Sequence, residues 1–205
     1  MLISESTKAQ DWNAPLVLIA LKLIFEDLTL HKFLVDEVYE ELFPILINVQ
    51  NVNKDNLEIQ TWVYKIISLF AKNNLYGYAM VNGGLMDCIK ESLQNQNFEG
   101  KGKAMIRKII YRLMEELGKD ESCSQKISDD LMEYLVNSLG DETSGDDITP
   151  ILGLLTSLTK HKYCLQPFVQ FKGIEIANKL LRKEDNFPDF VSQLLDILLK
   201  AANGS

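Results

Sequence analysis

AMVNGGLMDCIKESL, residues 79–93, decides how this chain reads. Asn82-Gly83-Gly84 breaks a short apolar segment, and a new helix starts at once with Leu85, Ile89 and Leu93 on one side. Glycine at such a corner supplies a backbone turn that other residues resist. Three further stretches share the outline: FLVDEVYEELFPILI (33–47), KISDDLMEYLVNSLG (126–140) and FVQFKGIEIANKLLR (168–182). Their matching apolar residues, Val38, Leu85, Leu131 and Ile174, stand 43–47 residues apart. A period of that length belongs to helical repeats that bury their faces only by stacking on one another.

Working outward, each copy is preceded by a long helical pattern. The cleanest covers 103–117, where Ile106, Ile109, Ile110, Leu113 and Leu117 form one stripe. Gly118 suits its C-terminal stop. Leu57–Lys72 repeats the theme with Ile59, Trp62, Val63, Ile66 and Phe70. The first helix, from about Asp11 to Leu28, is apolar on nearly all sides, so it is either buried or an end lacking a neighbour. A short helix and a longer one are expected over 31–49, with Pro44 as a kink or start. A helix capped by Ser128 or Asp129 should carry Leu131, Leu135 and Leu139. Asp147 and Pro150 suit the start of the next one, Gly173 marks a corner, and Asn186-Phe187-Pro188 opens a last helix. No strand alternation of useful length occurs. The expected architecture is all-α: a right-handed α-solenoid of about four three-helix repeats in a single domain, 1–205. The approximate units are 11–54, 55–100, 101–144, 145–185 and a partial 186–203, and the whole could be a piece of a larger protein.

This outline resembles the armadillo family and the related HEAT-like solenoids. The resemblance rests chiefly on AMVNGGLMDCIKESL and FVQFKGIEIANKLL and spans nearly the whole chain. The copies at 33–47 and 126–140 depart from it, with Asp36-Glu37 and Asp129-Asp130 where the family often has glycine. The resemblance implies a concave groove lined by the long third helices. In armadillo proteins that bind nuclear-localisation peptides those helices resemble W-A-L-x-N. Here the Asn slot holds Leu69, Arg112 and Ser157, and the Trp slot holds Lys65, Lys108 and Gly153. That departure argues against an importin-like clamp. The same slots, with Lys101 and Lys103 nearby, would give the groove a basic stripe suited to an acidic peptide or patch. The plainer alternative is that these cations only solvate exposed helix faces.

Composition narrows the functional classes. The chain has 205 residues, 46% hydrophobic and 24% charged, with a net charge of −8. Between Glu115 and Asp147 eleven acidic residues face only Lys119 and Lys126. Such a balance disfavours nucleic acid, which needs a basic footprint, and anionic membrane. The acidic loop carrying Asp141, Glu142, Asp146 and Asp147 offers a docking surface for a basic partner, or simply a solvated ridge. Ala14–Leu23 is too short to span a bilayer and ends in charge, so no membrane insertion is expected. Cys88, Cys123 and Cys164 form no CxxC pair, which fits a reducing, cytoplasmic setting, with nuclear or cytoskeletal association left open.

Catalytic and metal patterns are weak. His31 and His161 have no Cys, Asp or Glu at a ligand-like spacing, so no metal is expected. Cys164 with His161 has the residue types of a nucleophilic pair, without a visible oxyanion site. Gly100-Lys101-Gly102-Lys103 lacks the phosphate-loop spacing, and no other feature implies a cofactor. Trp12, Trp62, Tyr111 and Tyr134 read as core or as interface anchors. The expected function is therefore a non-catalytic scaffold or adaptor that binds a protein or peptide, without nucleic acid and with no signal for an oligomeric state. The alternative is a regulatory helical-repeat domain that binds a small GTPase or autoinhibits an adjoining module, as in formin-type regulators.

Overall fold

The computed structural model describes residues 14–141, 145–182, 192, 195–200 and 202. Among these residues the structure is all-α, with ten α-helices and no strand. In chain order they are α1 Ala14–Leu30, α2 Leu34–Val52, α3 Leu57–Phe70, α4 Asn74–Met80, α5 Met86–Gln94, α6 Gly100–Leu117, α7 Glu121–Asp141, α8 Gly145–Leu158, α9 Lys162–Gln170 and α10 Gly173–Leu181. A wide turn, Val81–Leu85, joins α4 to α5.

Local chemistry sets the boundaries. The Asn56 carboxamide oxygen accepts from the Ile59 N–H at 3.1 Å and caps α3. Asn73 does the same for α4 through the Leu75 N–H, and Asp120 for α7 through the Cys123 N–H. Gly84 has φ 98°, so the corner read from the sequence does need glycine. At the last corner the left-handed residue is Lys172, with φ 65°. Gly173 is required there for a different reason: a Cβ would lie 2.3 Å from the buried Phe168 ring.

Two sequence expectations change. Residues 34–52 form one helix, with Pro44 inside it. Glu40, whose carbonyl loses its usual N–H partner at Pro44, is exposed, so water can satisfy that group. Likewise α7 runs unbroken through Ser128, Asp129 and Asp130. Asp130 pairs with Lys126 one turn away at 3.2 Å and with Lys90 of α5 at 2.9 Å, so its carboxylate ties helix to helix instead of opening a corner. Asp36-Glu37 sits in the first turn of α2, where negative charge suits the helix dipole. Three helices therefore fill the stretches 55–100 and 145–185, but only two, α6 and α7, fill 101–144.

The long helices pack in succession: α1 on α3, α3 on α6, α6 on α8. Alongside, α2 packs on α5, α5 on α7, and α7 on α9 and α10. The buried stripes of both sets join in one core reaching from Val17 to Ile197. Further polar ties join corners and helices that are well separated in the chain. Asn97 donates to the Asp55 carboxylate at 2.9 Å, Tyr134 to the Leu93 carbonyl at 3.2 Å, and Ser157 to the Glu115 carbonyl at 3.5 Å. His161 Nε2 lies 3.2 Å from the Gly118 carbonyl. The partners stand 41 to 43 positions apart in the chain.

Between α2, α3 and α5 the core holds a polar node. The Gln50 amide donates to the Tyr64 hydroxyl, and to Ser92 Oγ at 3.2 Å. Tyr64 donates to the Cys88 carbonyl at 3.0 Å, and Ser92 to Gln60 Oε1 at 3.1 Å. Gln60 in turn donates to the Gln50 carbonyl at 2.8 Å. All four side chains are buried, and burial pushes the Tyr64 phenol well above its ordinary range.

Candidate protein-docking face

The half-buried Trp62 indole on α3 anchors the face. Phe25 of α1 meets it edge-on at 5.5 Å, and Lys65 Nζ lies 4.0 Å from its ring centroid. Lys22 Nζ stands on the same indole at 5.7 Å and pairs with Glu58 at 3.0 Å. Cation–π contact of this kind stabilises by about 0.5–1 kcal/mol at exposed sites, so Lys65 is held with its charge at the surface. Leu69, one turn further along α3, is half-buried and helps line a cavity of about 300 Å³ with Leu28, Val35, Lys32, Asp36 and Lys72.

The next helix, α6, starts with Gly102 tight against Leu57; a Cβ there would come within 2.4 Å of Leu57 Cδ2. Its buried stripe of Ile106, Ile110, Leu113 and Leu117 faces the core. Lys108 and Arg112 lie on the opposite side and are exposed, one turn apart. Among the described residues neither makes an ion pair or a hydrogen bond. The structure thus puts Lys65 and Leu69 on one helix and Lys108 and Arg112 on the helix packed against it.

Ser157 is set apart from this group. It is buried in the α6–α8 contact, where its hydroxyl donates to the Glu115 carbonyl. Gly153 lies there too, beside the Glu115 carboxylate, 3.1 Å from where a Cβ would stand. Among the acidic-loop residues, Glu142 lies outside the described residues. Asp141 ends α7 and Asp146 and Asp147 begin α8, but their side chains lie outside the description as well. Trp12 is also outside it. Tyr111 is core, and Tyr134 bridges α7 to Leu93 and to Arg107.

Cys164 and His161 do not face each other as a nucleophile and base would. Cys164 Sγ contacts the Ser124 carbonyl at 3.6 Å, His161 Nε2 contacts the Gly118 carbonyl, and burial pushes the thiol's pKa up. Among the described residues no cluster of three His, Cys, Asp or Glu side chains is placed to hold a metal ion, and no helix is long and apolar enough to cross a membrane.

No family model and no curated protein matches the chain. Solved structures do. The crystal structure of one engineered protein superposes with a TM-score of 0.66 at 16% identity, over 80% of this chain and 63% of its own length. A second engineered protein gives 0.69 at 15% identity, over 83% of this chain and 40% of its own. This chain therefore spans about three fifths and two fifths of those two proteins. At such identities the likeness is one of fold.

Proposed function

We propose that this chain is a non-catalytic interaction scaffold, an armadillo-like right-handed α-solenoid of about four units, that docks an acidic protein segment on the α3–α6 face. Supporting the repeat reading, each long helix packs on the next long helix and the polar ties join residues about one unit apart. The observation that carries the functional reading is the pair Lys108 and Arg112. They are exposed cations that make no ion pair among the described residues, on the helix packed against the one that carries the Trp62–Lys65 stack, in a chain of net charge −8. Carboxylates delivered to Lys65, Lys108 and Arg112 would gain charge-assisted hydrogen bonds, while Leu69 and the Trp62 edge offer apolar contact. A pre-packed helical surface orders few groups of its own on binding.

The test is a fluorescence-anisotropy titration with a fluorescein-labelled peptide of alternating Glu and Leu. Replacing two attractive exposed contacts with repulsive ones costs about 1–2 kcal/mol by the range for surface pairs. Lys108→Glu/Arg112→Glu should thus weaken binding roughly tenfold and leave the circular dichroism spectrum unchanged. Equal affinity for the two proteins would overturn the assignment.

A further inference from the structure

We propose that the groove between α1 and α2 is a second docking site, built for an amphipathic helix with apolar residues every three and four positions and Lys or Arg along its flanks. On α1, Val17, Leu21 and Leu28 are buried and Phe25 meets α3. The side turned away carries Leu16, Ala20, Leu23, Asp27 and Leu30, in steps of four, three, four and three, all exposed. On α2 the same steps recur in Leu34, Val38, Glu41, Ile45, Asn48 and Val52, each half-buried or exposed. This 4–3 spacing is the seam on which one helix receives the side chains of another.

Both helices pack on α3 and leave a groove of about 260 Å³ between them, lined by Ile24, Leu28, Leu34, Val38, Leu42 and Ile45 with Asp27 and Glu41. Seven of the thirteen large apolar side chains exposed among the described residues lie on α1, α2 and their corner, with Leu23 at 60%, Phe33 at 62% and Ile45 at 53%. Apolar side chains gathered so densely mark an interaction site.

Charge selects the occupant. The titratable groups lining the groove are Asp27 and Glu41, with His31 3.8 Å from Asp27 and no Lys or Arg among the lining residues. Lys22 is turned to Glu58 and Trp62, and Lys32 to the neighbouring cavity. A second copy docking through the same face about a two-fold axis would bring Asp27 and Glu41 towards their own equivalents, and an anionic membrane would meet the same repulsion. A helix with cationic flanks satisfies both the seam and its carboxylates.

The probe is a fluorescein-labelled 18-residue peptide with Leu at heptad a and d positions and Lys at the flanking ones, together with a twin carrying Glu for Lys. The Lys peptide should bind saturably with the Glu twin at least tenfold weaker. Leu23→Glu/Ile45→Glu should abolish binding. Asp27→Lys/Glu41→Lys should weaken the Lys peptide at least tenfold and strengthen the Glu twin, while the distant Glu133→Lys should change neither. All these positions are exposed, so unchanged circular dichroism certifies folding. The proposal is overturned if Asp27→Lys/Glu41→Lys binds the Lys peptide within twofold of wild type. It is overturned equally by a dimer in light scattering that Leu23→Glu dissolves, or by binding to phosphatidylserine vesicles that Leu23→Glu/Ile45→Glu removes. Because the Lys108→Glu/Arg112→Glu protein keeps this groove, failure here and failure on the α3–α6 face are read separately.

Discussion

Replacing Tyr64 with Phe removes one oxygen from the point where α2, α3 and α5 meet. The ring is fully buried, and its hydroxyl takes the Gln50 amide, shares Ser92 Oγ at 2.9 Å and donates to the Cys88 carbonyl. In Tyr64→Phe, Gln50 keeps Ser92 at 3.2 Å, and Ser92 keeps Gln60. The Cys88 carbonyl loses its side-chain donor, and the node loses its central acceptor. Orphaned buried groups cost about 1–3 kcal/mol; the phenol's own desolvation cost is recovered, leaving a net loss of about 2 kcal/mol. For a chain of this size that is a fall of roughly 4–8 °C in Tm. Urea unfolding followed by circular dichroism should show a lower midpoint at an unchanged slope. Tyr78→Phe, at an exposed position, should stay within about 0.5 kcal/mol of wild type. If Tyr64→Phe matched Tyr78→Phe, the node would not be holding three helices together.

Gly173→Ala must displace the buried Phe168 ring, so it should destabilise by about 1–3 kcal/mol in the same unfolding assay; a neutral result would refute the close approach. Burial raises the pKa of Asp130, but the Lys90 and Lys126 ammonium groups outweigh it and hold the carboxyl below its ordinary value. The stabilisation is therefore present above the unfolded-state pKa of about 3.9 and is lost as pH falls through the lower folded value. Lys90→Met should raise the Asp130 midpoint in a carboxyl NMR titration, and an unmoved midpoint would contradict the pairing. Burial first, then neighbouring carboxylates, push the Cys88 thiol up to about 11 and the Cys123 thiol up to about 12. At pH 8 the native thiols should react with a chromogenic disulfide at least about a hundredfold more slowly than in urea, since the thiolate is the reactive form; rapid native labelling would refute their burial.

The helices were legible because their apolar spacing is long and regular, as in Ile106–Leu117, and the Gly84 corner because its backbone needs positive φ. The corners expected at Asp36-Glu37 and Asp129-Asp130 did not form. Aspartate there can serve a first turn or a neighbouring lysine, and the choice depends on Lys90, 40 positions away from Asp130. The exposure of Lys108 and Arg112 follows from their helix positions, whereas Ser157 has the polarity of a surface residue and is buried by α6. The exposed seam on α1 was harder to see. Apolar residues on its buried side, Val17, Leu21 and Leu28, interleave in the sequence with the exposed seam and hide its spacing. The Gln50–Gln60–Tyr64–Ser92 node joins residues up to 42 positions apart and leaves no local signal.

In the function proposed above, cations on neighbouring long helices form one surface for an acidic partner. A double-mutant cycle tests it directly, crossing Lys108→Met and Arg112→Met with single Glu→Gln changes along the Glu/Leu peptide. Coupling of about 0.5 kcal/mol or more, confined to one or two peptide positions and shrinking as salt rises, is the predicted result. Zero coupling at every position, at low salt, would contradict it.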